Sequence, residues 1–178
     1  MAAWTAPRDW APGELVTAAL LDVHVRDNLQ YLFDAVTALQ AAGLGNGAYT
    51  AFTPALQAST TNPSLGTGAD RVGRFVQIGE FVQGWASITF GPSGVSAGSG
   101  TYRVTLPVAA SSTSRVRVVG EGRIIDSSAG TSQLVAVEIP ASQTAYVELR
   151  LPADVTNAVP WTWAANDVIS VAFAYEAA

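Results

Sequence analysis

His24 is the chain's one histidine and the first residue to weigh for chemistry. Asp27 follows at i+3, on the same face of a helix, while Asp22 at i−2 lies on another. A His-Asp pair with neither a nucleophile nor a third ligand cannot run acid-base catalysis or hold a metal by itself. His24 therefore reads as a surface or interface histidine. In a symmetric bundle, copies of it would meet near the entrance and make assembly sensitive to acid. Asp126, Asp154 and Asp167 stand singly at strand ends or turns, with no calcium-loop spacing. Glu121 and Glu138 fall in strand patterns and Glu148 lies beside Arg150, which suits solvated or cross-strand-paired faces. No local pattern supports the paired carboxylates of glycoside hydrolysis. The Gly-x-Gly steps at 43–45 and 120–122 open no helix in a βαβ unit, so neither cradles phosphate. No serine sits in a Gly-x-Ser-x-Gly elbow. With no cysteine, disulfides, thiol catalysis and Cys-type zinc are excluded. The expectation is a protein that is not an enzyme and uses no cofactor or metal.

Tryptophan carries the remaining chemical interest. In Val159-Pro160-Trp161-Thr162-Trp163 both indoles fall on one side of an extended segment. Trp161 and Trp163 either stack on the sugar rings of a glycan or pack at a sandwich edge or between subunits. Trp85, in mid-strand, reads as core or interface. Trp4 and Trp10 belong to an N-terminal arm with Pro7 and Arg8, where two prolines and a glycine within residues 1–16 forbid a regular helix. Two indoles in so short an arm are costly to leave in water. They fold back onto the chain's own helix or insert into a partner as anchors.

These residues need elements to place them. Thr17–Gly43 is the only long helical pattern, with Thr17 as N-cap and Gly43 and Gly45 as the stop. Val25, Leu29, Leu32, Val36 and Leu39 are spaced 4, 3, 4 and 3, a heptad seam flanked by polar residues. Such a seam lies on the chain's own β domain or meets copies of itself in a short parallel bundle. Val at a and Leu at d nominally favour two strands, over a seam too short to fix the number. Residues 44–70 read as a linker with one short strand, Tyr49–Leu56. From Arg71 the period is two. Strands are expected over Arg71–Ile78, Glu80–Phe90, Thr101–Leu106, Arg115–Ile125, Gln133–Ile139, Tyr146–Leu151 and Val168–Tyr175, with a tight turn at Gly79-Glu80. Gly91–Gly100 reads as a flexible connection. About eight short strands with regular turn signals predict an antiparallel sandwich or jelly roll over residues 71–178. The fold class is thus mainly β, behind an arm (1–16) and one oligomerising helix (17–43).

Composition bounds the partners. Charged residues are 13% of the 178, against about 25% in an ordinary soluble domain. The apolar excess is largely Ala and Val, which suits β-structure and surface covered between subunits. The net charge is −5 and all basic residues are scattered arginines, so no nucleic-acid partner is expected. No apolar run reaches the roughly 18 residues of a spanning helix, and no signal peptide is visible. Synthesis in the cytoplasm is expected, with delivery elsewhere only on a particle.

The N-terminal run Trp4-Thr-Ala-Pro7-Arg8-Asp-Trp10-Ala-Pro-Gly13-Glu14-Leu-Val-Thr17-Ala-Ala-Leu-Leu-Asp-Val-His24-Val-Arg26-Asp27-Asn28-Leu29 resembles the start of small virion proteins of tailed bacteriophages and prophages, especially those of actinobacteria. Their pattern is W-x-x-P-R-x-W-x-x-G-E-x-V-T-A-A-x-x-N-x-H-V-R-D-N-L, from which Leu15 and Asp22 depart mildly. Phe75–Gly79 with the strand after it resembles the hairpin of phage fibre domains. Gly100-Thr101-Tyr102 to Leu106-Pro107-Val108 resembles their G-x-Y-x-V-x-L-P-V strand. Asn166-Asp167-Val168 to Tyr175-Glu176 resembles their closing strand. The N-terminal motif is the specific part; the β motifs are generic among such fibres. The resemblance implies a non-enzymatic homotrimer, a minor tail protein, tail fibre or capsid-surface head fibre. Trp4, Pro7, Arg8 and Trp10 would hold it to other virion proteins, and the β domain would project outward, where a host-surface glycan is a candidate partner.

Overall fold

The computed structural model describes residues 3–6, 8–41, 48–113, 117–141 and 143–178. The chain divides into two compact units, 1–47 and 48–178.

In the first unit, Thr17 caps the helix as expected, its Oγ1 accepting from the Leu20 amide at 3.3 Å. The helix is not uniform. α1 (Ala18–Leu21) passes into a π-helical turn at Asp22–Arg26 and then into α2 (Asp27–Ala41). A π turn carries one residue more than an α turn and marks a place where another interaction competes for the backbone. The competitor is Asn28, whose side chain is buried. Its Nδ2 donates to the His24 carbonyl at 3.2 Å. The predicted stop at Gly43 and Gly45 lies outside the described residues, as does Pro7.

The second unit is mainly β, one antiparallel sheet of nine strands among the described residues. These are β1 (Thr50–Phe52), β2 (Leu56–Ala58), β3 (Asp70–Ile78), β4 (Phe81–Thr89), β5 (Tyr102–Thr105), β6 (Val118–Asp126), β7 (Thr131–Glu138), β8 (Tyr146–Arg150) and β9 (Val168–Glu176). Their order is β1-β3-β4-β9-β6-β7-β8-β5-β2. The strand expected over Tyr49–Leu56 is broken at Pro54, whose missing N–H ends the ladder. Its two pieces go to opposite edges of the sheet. That split forces the curl. Laid flat, eight inter-strand steps would hold β1 and β2 about 38 Å apart. Only Thr53, Pro54 and Ala55 join them, a span of at most about 14 Å. The sheet therefore wraps, and its inner face encloses the core.

Strict alternation supplies that core. Val82, Ala86 and Ile88 of β4, Ile124 of β6, Val135 and Val137 of β7, and Ile169, Val171, Phe173 and Tyr175 of β9 all point inward and are buried. Each large side chain so buried contributes about 1.5–3 kcal/mol. The β3–β4 turn follows the expected two-residue form. Ile78 pairs with Phe81, and Gly79, at φ 59°, fills the first loop position.

Two segments read from composition as linkers are not linkers. Residues 59–67 pair with 93–101 through bridges at Thr61–Ser99, Ser64–Ser96 and Thr67–Ser93. Ser64 and Ser96 exchange backbone bonds at 2.9 and 3.0 Å. The glycines allow the close approach: a Cβ on Gly98 would lie 2.2 Å from the Thr61 carbonyl oxygen. Small residues here are a requirement of packing, not a sign of looseness.

Candidate functional site

The N-terminal motif residues form one local assembly. Asn28 meets the backbone of Thr5 twice: its Oδ1 accepts from the Thr5 amide at 2.9 Å, and its Nδ2 donates to the Thr5 carbonyl at 2.9 Å. This imitates one rung of a β-ladder and pins the arm across the π turn. Trp4 then sits 6.0 Å from the Tyr31 ring, and Trp10 meets the His24 ring edge-on at 6.2 Å. Arg8 lies over the Trp10 ring at 5.3 Å and pairs with Glu14, which also accepts from the Ala11 amide at 3.2 Å. So the two arm tryptophans do fold back on the helix, yet they remain 47% and 41% exposed.

Among the described residues, the carboxylates beside His24 turn to Arg26 rather than to its ring. Asp22 and Asp27 both pair with Arg26, at 2.9 Å each. The hydrogen bond to Asp27, with the charges of Asp22 and Asp27, holds the guanidinium pKa above its ordinary value. The Nδ1 of His24 is buried with no hydrogen-bond partner. Among the described residues, no group of three His, Asp or Glu side chains is placed to hold a metal. Nor is any described helix long and apolar enough to cross a membrane.

The seam stands uncovered. Val25, Leu29, Leu32, Val36 and Leu39 are all exposed, as is Phe33. Val25, Leu29 and Leu32 share an open concavity of about 280 Å³ with Trp4, Arg8, Trp10 and Asn28. Arm and upper seam thus present one apolar surface, and Val36 and Leu39 continue along the helix.

Of the two readings of Trp161 and Trp163, the geometry of the β unit favours packing. Trp163 is 3% exposed. It stacks on Phe90 at 5.5 Å and 21°, leans on Tyr102 at 5.4 Å, and its Nε1 donates to the Thr156 carbonyl at 2.8 Å. A ring enclosed on these sides offers no face to a sugar. Trp161 does lie on the same side, 5.6 Å from Trp163, but it packs against the core with its Nε1 buried and unpartnered. Both indoles pack against the core, Trp163 fully and Trp161 in part. Asp167, fully buried beneath the same segment, accepts from the Ser127 and Ala164 amides, each at 2.9 Å.

Trp85, read from the sequence as core or interface, is not core: it faces out at 40% exposure. The sequence carried the signal for it. In Val82-Gln-Gly-Trp85-Ala-Ser-Ile88 the alternation places Trp85 in phase with Gln83 and Ser87, opposite to Val82 and Ile88. On the outer face one register row runs Arg74, Trp85, Ala172, Glu121, Ala136 across β3, β4, β9, β6 and β7. The next runs Val72, Ser87, Ser170, Arg123, Leu134. Further along, over β7, β8 and β5, the face is closed by ion pairs. Buried Glu148 binds Arg103 at 3.0 Å and Arg150 at 2.8 Å, and Arg150 also reaches Glu138 at 3.3 Å and pairs with Asp154. Arg103 covers the Tyr146 ring at 4.4 Å. Of these, Glu148–Arg103 and Glu138–Arg150 are cross-strand pairs of the kind the glutamates suggested. Among the described residues the β4-β9-β6 half has no such ion pairs, and it forms a trough of about 520 Å³.

No protein-family model, curated protein or solved structure matches this chain.

Proposed function

We propose that this chain is a non-enzymatic structural protein of a tailed-bacteriophage particle. It is a homotrimeric appendage, a tail fibre or minor tail protein or a capsid-surface fibre. Three helices meet in a short bundle along Val25, Leu29, Leu32, Val36 and Leu39, and the curled sheet is the sandwich-like projecting domain. The observation that carries the reading is the bare seam. Five apolar side chains in heptad spacing, all exposed on one helix, form a continuous stripe that a partner surface would cover. Covering them from half exposure is worth about 1 kcal/mol apiece. The arm supports the same reading. The residues that resemble virion proteins are those that clasp one another, and their tryptophans extend the apolar surface toward a particle partner.

The mass of the full chain in solution tests the bundle. Sedimentation equilibrium should give three times the 18.4 kDa chain, and Leu32→Glu should reduce it to one; a monomeric wild type overturns the reading. Deleting residues 1–16 should end attachment to particles. Particles still decorated by that truncation remove the anchor assignment while leaving the bundle standing.

A further inference from the structure

We propose that the outer trough beside Trp85 is a binding site for a neutral hexopyranose oligosaccharide. The inference rests on the β unit alone and does not depend on the virion reading. Its floor is small: Ala172 and Ser170 of β9 lie between Trp85 on β4 and Glu121 and Arg123 on β6. The two strand steps from β4 to β6 give a width of about 10 Å, enough for a pyranose ring lying flat. Leu134, 74% exposed on β7, closes the far side.

The chemistry matches a sugar better than a protein or a lipid. A pyranose has an apolar face of C–H groups and a rim of hydroxyls that both donate and accept. An exposed indole suits the first. A few placed polar groups in a mostly apolar trough suit the second. Glu121 stands opposite Ala172 and Ala136, neither of which has a side chain to pair with it, so its carboxylate is available as an acceptor. Arg123 is held by one bond, Nη2 to Ser132 Oγ at 2.8 Å, which leaves further N–H donors on a fixed guanidinium. Ser87 and Ser170 share one hydrogen bond at 3.2 Å and keep acceptor capacity toward the trough. One carboxylate and one guanidinium balance, which favours a neutral sugar over a uronate or a phosphorylated one.

The test uses the full chain and four soluble probes: maltotriose, mannotriose, galactotriose and chitotriose. Calorimetric titration should give saturable binding to at least one of them, with Kd about 1 mM or tighter. Trp85→Ala should weaken it at least about tenfold. Glu121→Gln, which keeps the side-chain volume, should weaken it about fivefold. Trp161→Ala should leave the affinity within a factor of about two. Trp85→Tyr, which retains a stacking face, decides the case if Trp85→Ala fails to fold: it should bind within about threefold of wild type. No saturation with any probe, or wild-type affinity in both Trp85→Ala and Glu121→Gln, overturns the assignment. Loss of the oligomer in Trp85→Ala by sedimentation, with flat titrations of the wild type, also overturns it and makes the trough a contact between copies.

Discussion

Asn28→Ala should free the arm. The side chain makes two bonds to Thr5, both at 2.9 Å, and is buried while making them. A net contribution of about 1 kcal/mol per bond gives about 2 kcal/mol for holding the arm down. That is a roughly 30-fold change in the ratio of docked to released arm. The Thr5 amide reports this directly, because its acceptor is the deleted Oδ1. Amide exchange at Thr5, followed by NMR, should speed by a comparable factor, and the Trp4 and Trp10 indole signals should shift toward solvent-exposed positions. Asn28→Asp separates geometry from chemistry. It keeps the acceptor but replaces the donor with a carboxylate oxygen facing the Thr5 carbonyl, so it should release the arm as fully as alanine does. Thr5 exchange within twofold of wild type in Asn28→Ala would refute the clasp, leaving the Trp4–Tyr31 and Trp10–His24 contacts as what holds the arm.

Three other outcomes are expected. Trp163→Ala should lower the stability of the β unit by about 3–5 kcal/mol, read from urea unfolding, because it empties a site enclosed by Phe90, Tyr102 and Trp161. Gly98→Ala should cost more than about 1 kcal/mol, since φ is 64° there and the new Cβ would press on the Thr61 carbonyl; an unchanged melting temperature would count against the tight pairing of the two serine-rich segments. Alkali should unfold the β unit through its buried phenols. Burial raises Tyr102 well above the ordinary phenol range, helped by the Asp167 carboxylate, and pushes Tyr175 up to about 12. Below pH 10 both states keep these protons and stability is level. Above it the unfolded chain loses them while the folded one holds them, so stability falls as pH rises. The urea midpoint should drop from pH 10 upward, and more shallowly in Tyr102→Phe.

Much of the sheet was legible because most strands bury one face. Ile169, Val171, Phe173 and Tyr175 alternate in the sequence as they alternate in space. The Gly79-Glu80 turn was legible from the φ only glycine takes easily. Residues 59–67 and 93–101 were not, since they pair through backbone atoms that leave no hydrophobic period to read. The curl was hidden for a different reason. It follows from Pro54 sending its neighbours to opposite edges, a long-range result of a local break. The tryptophans at 161 and 163 show the limit of spacing: it placed them on one side and said nothing about which side was the core. In the helix the seam was plain, but the π turn was not, because it is set by Asn28 bonding an arm 23 residues away.

The strand order has a consequence for synthesis. β9, the last of the described strands, lies in the middle of the sheet between β4 and β6. As the polypeptide leaves the ribosome, β1-β3-β4 and β6-β7-β8-β5-β2 can each pair, but no strand bridges β4 and β6 until residues 168–176 emerge. Until then the inner faces of β4 and β6 stay wet, along with the unpaired backbone edges that β9 will fill. Closure is a late, long-range step of the slow kind expected of non-local β topologies. A ribosome stalled a few residues short would release a chain with two sticky edges rather than a slightly shortened domain.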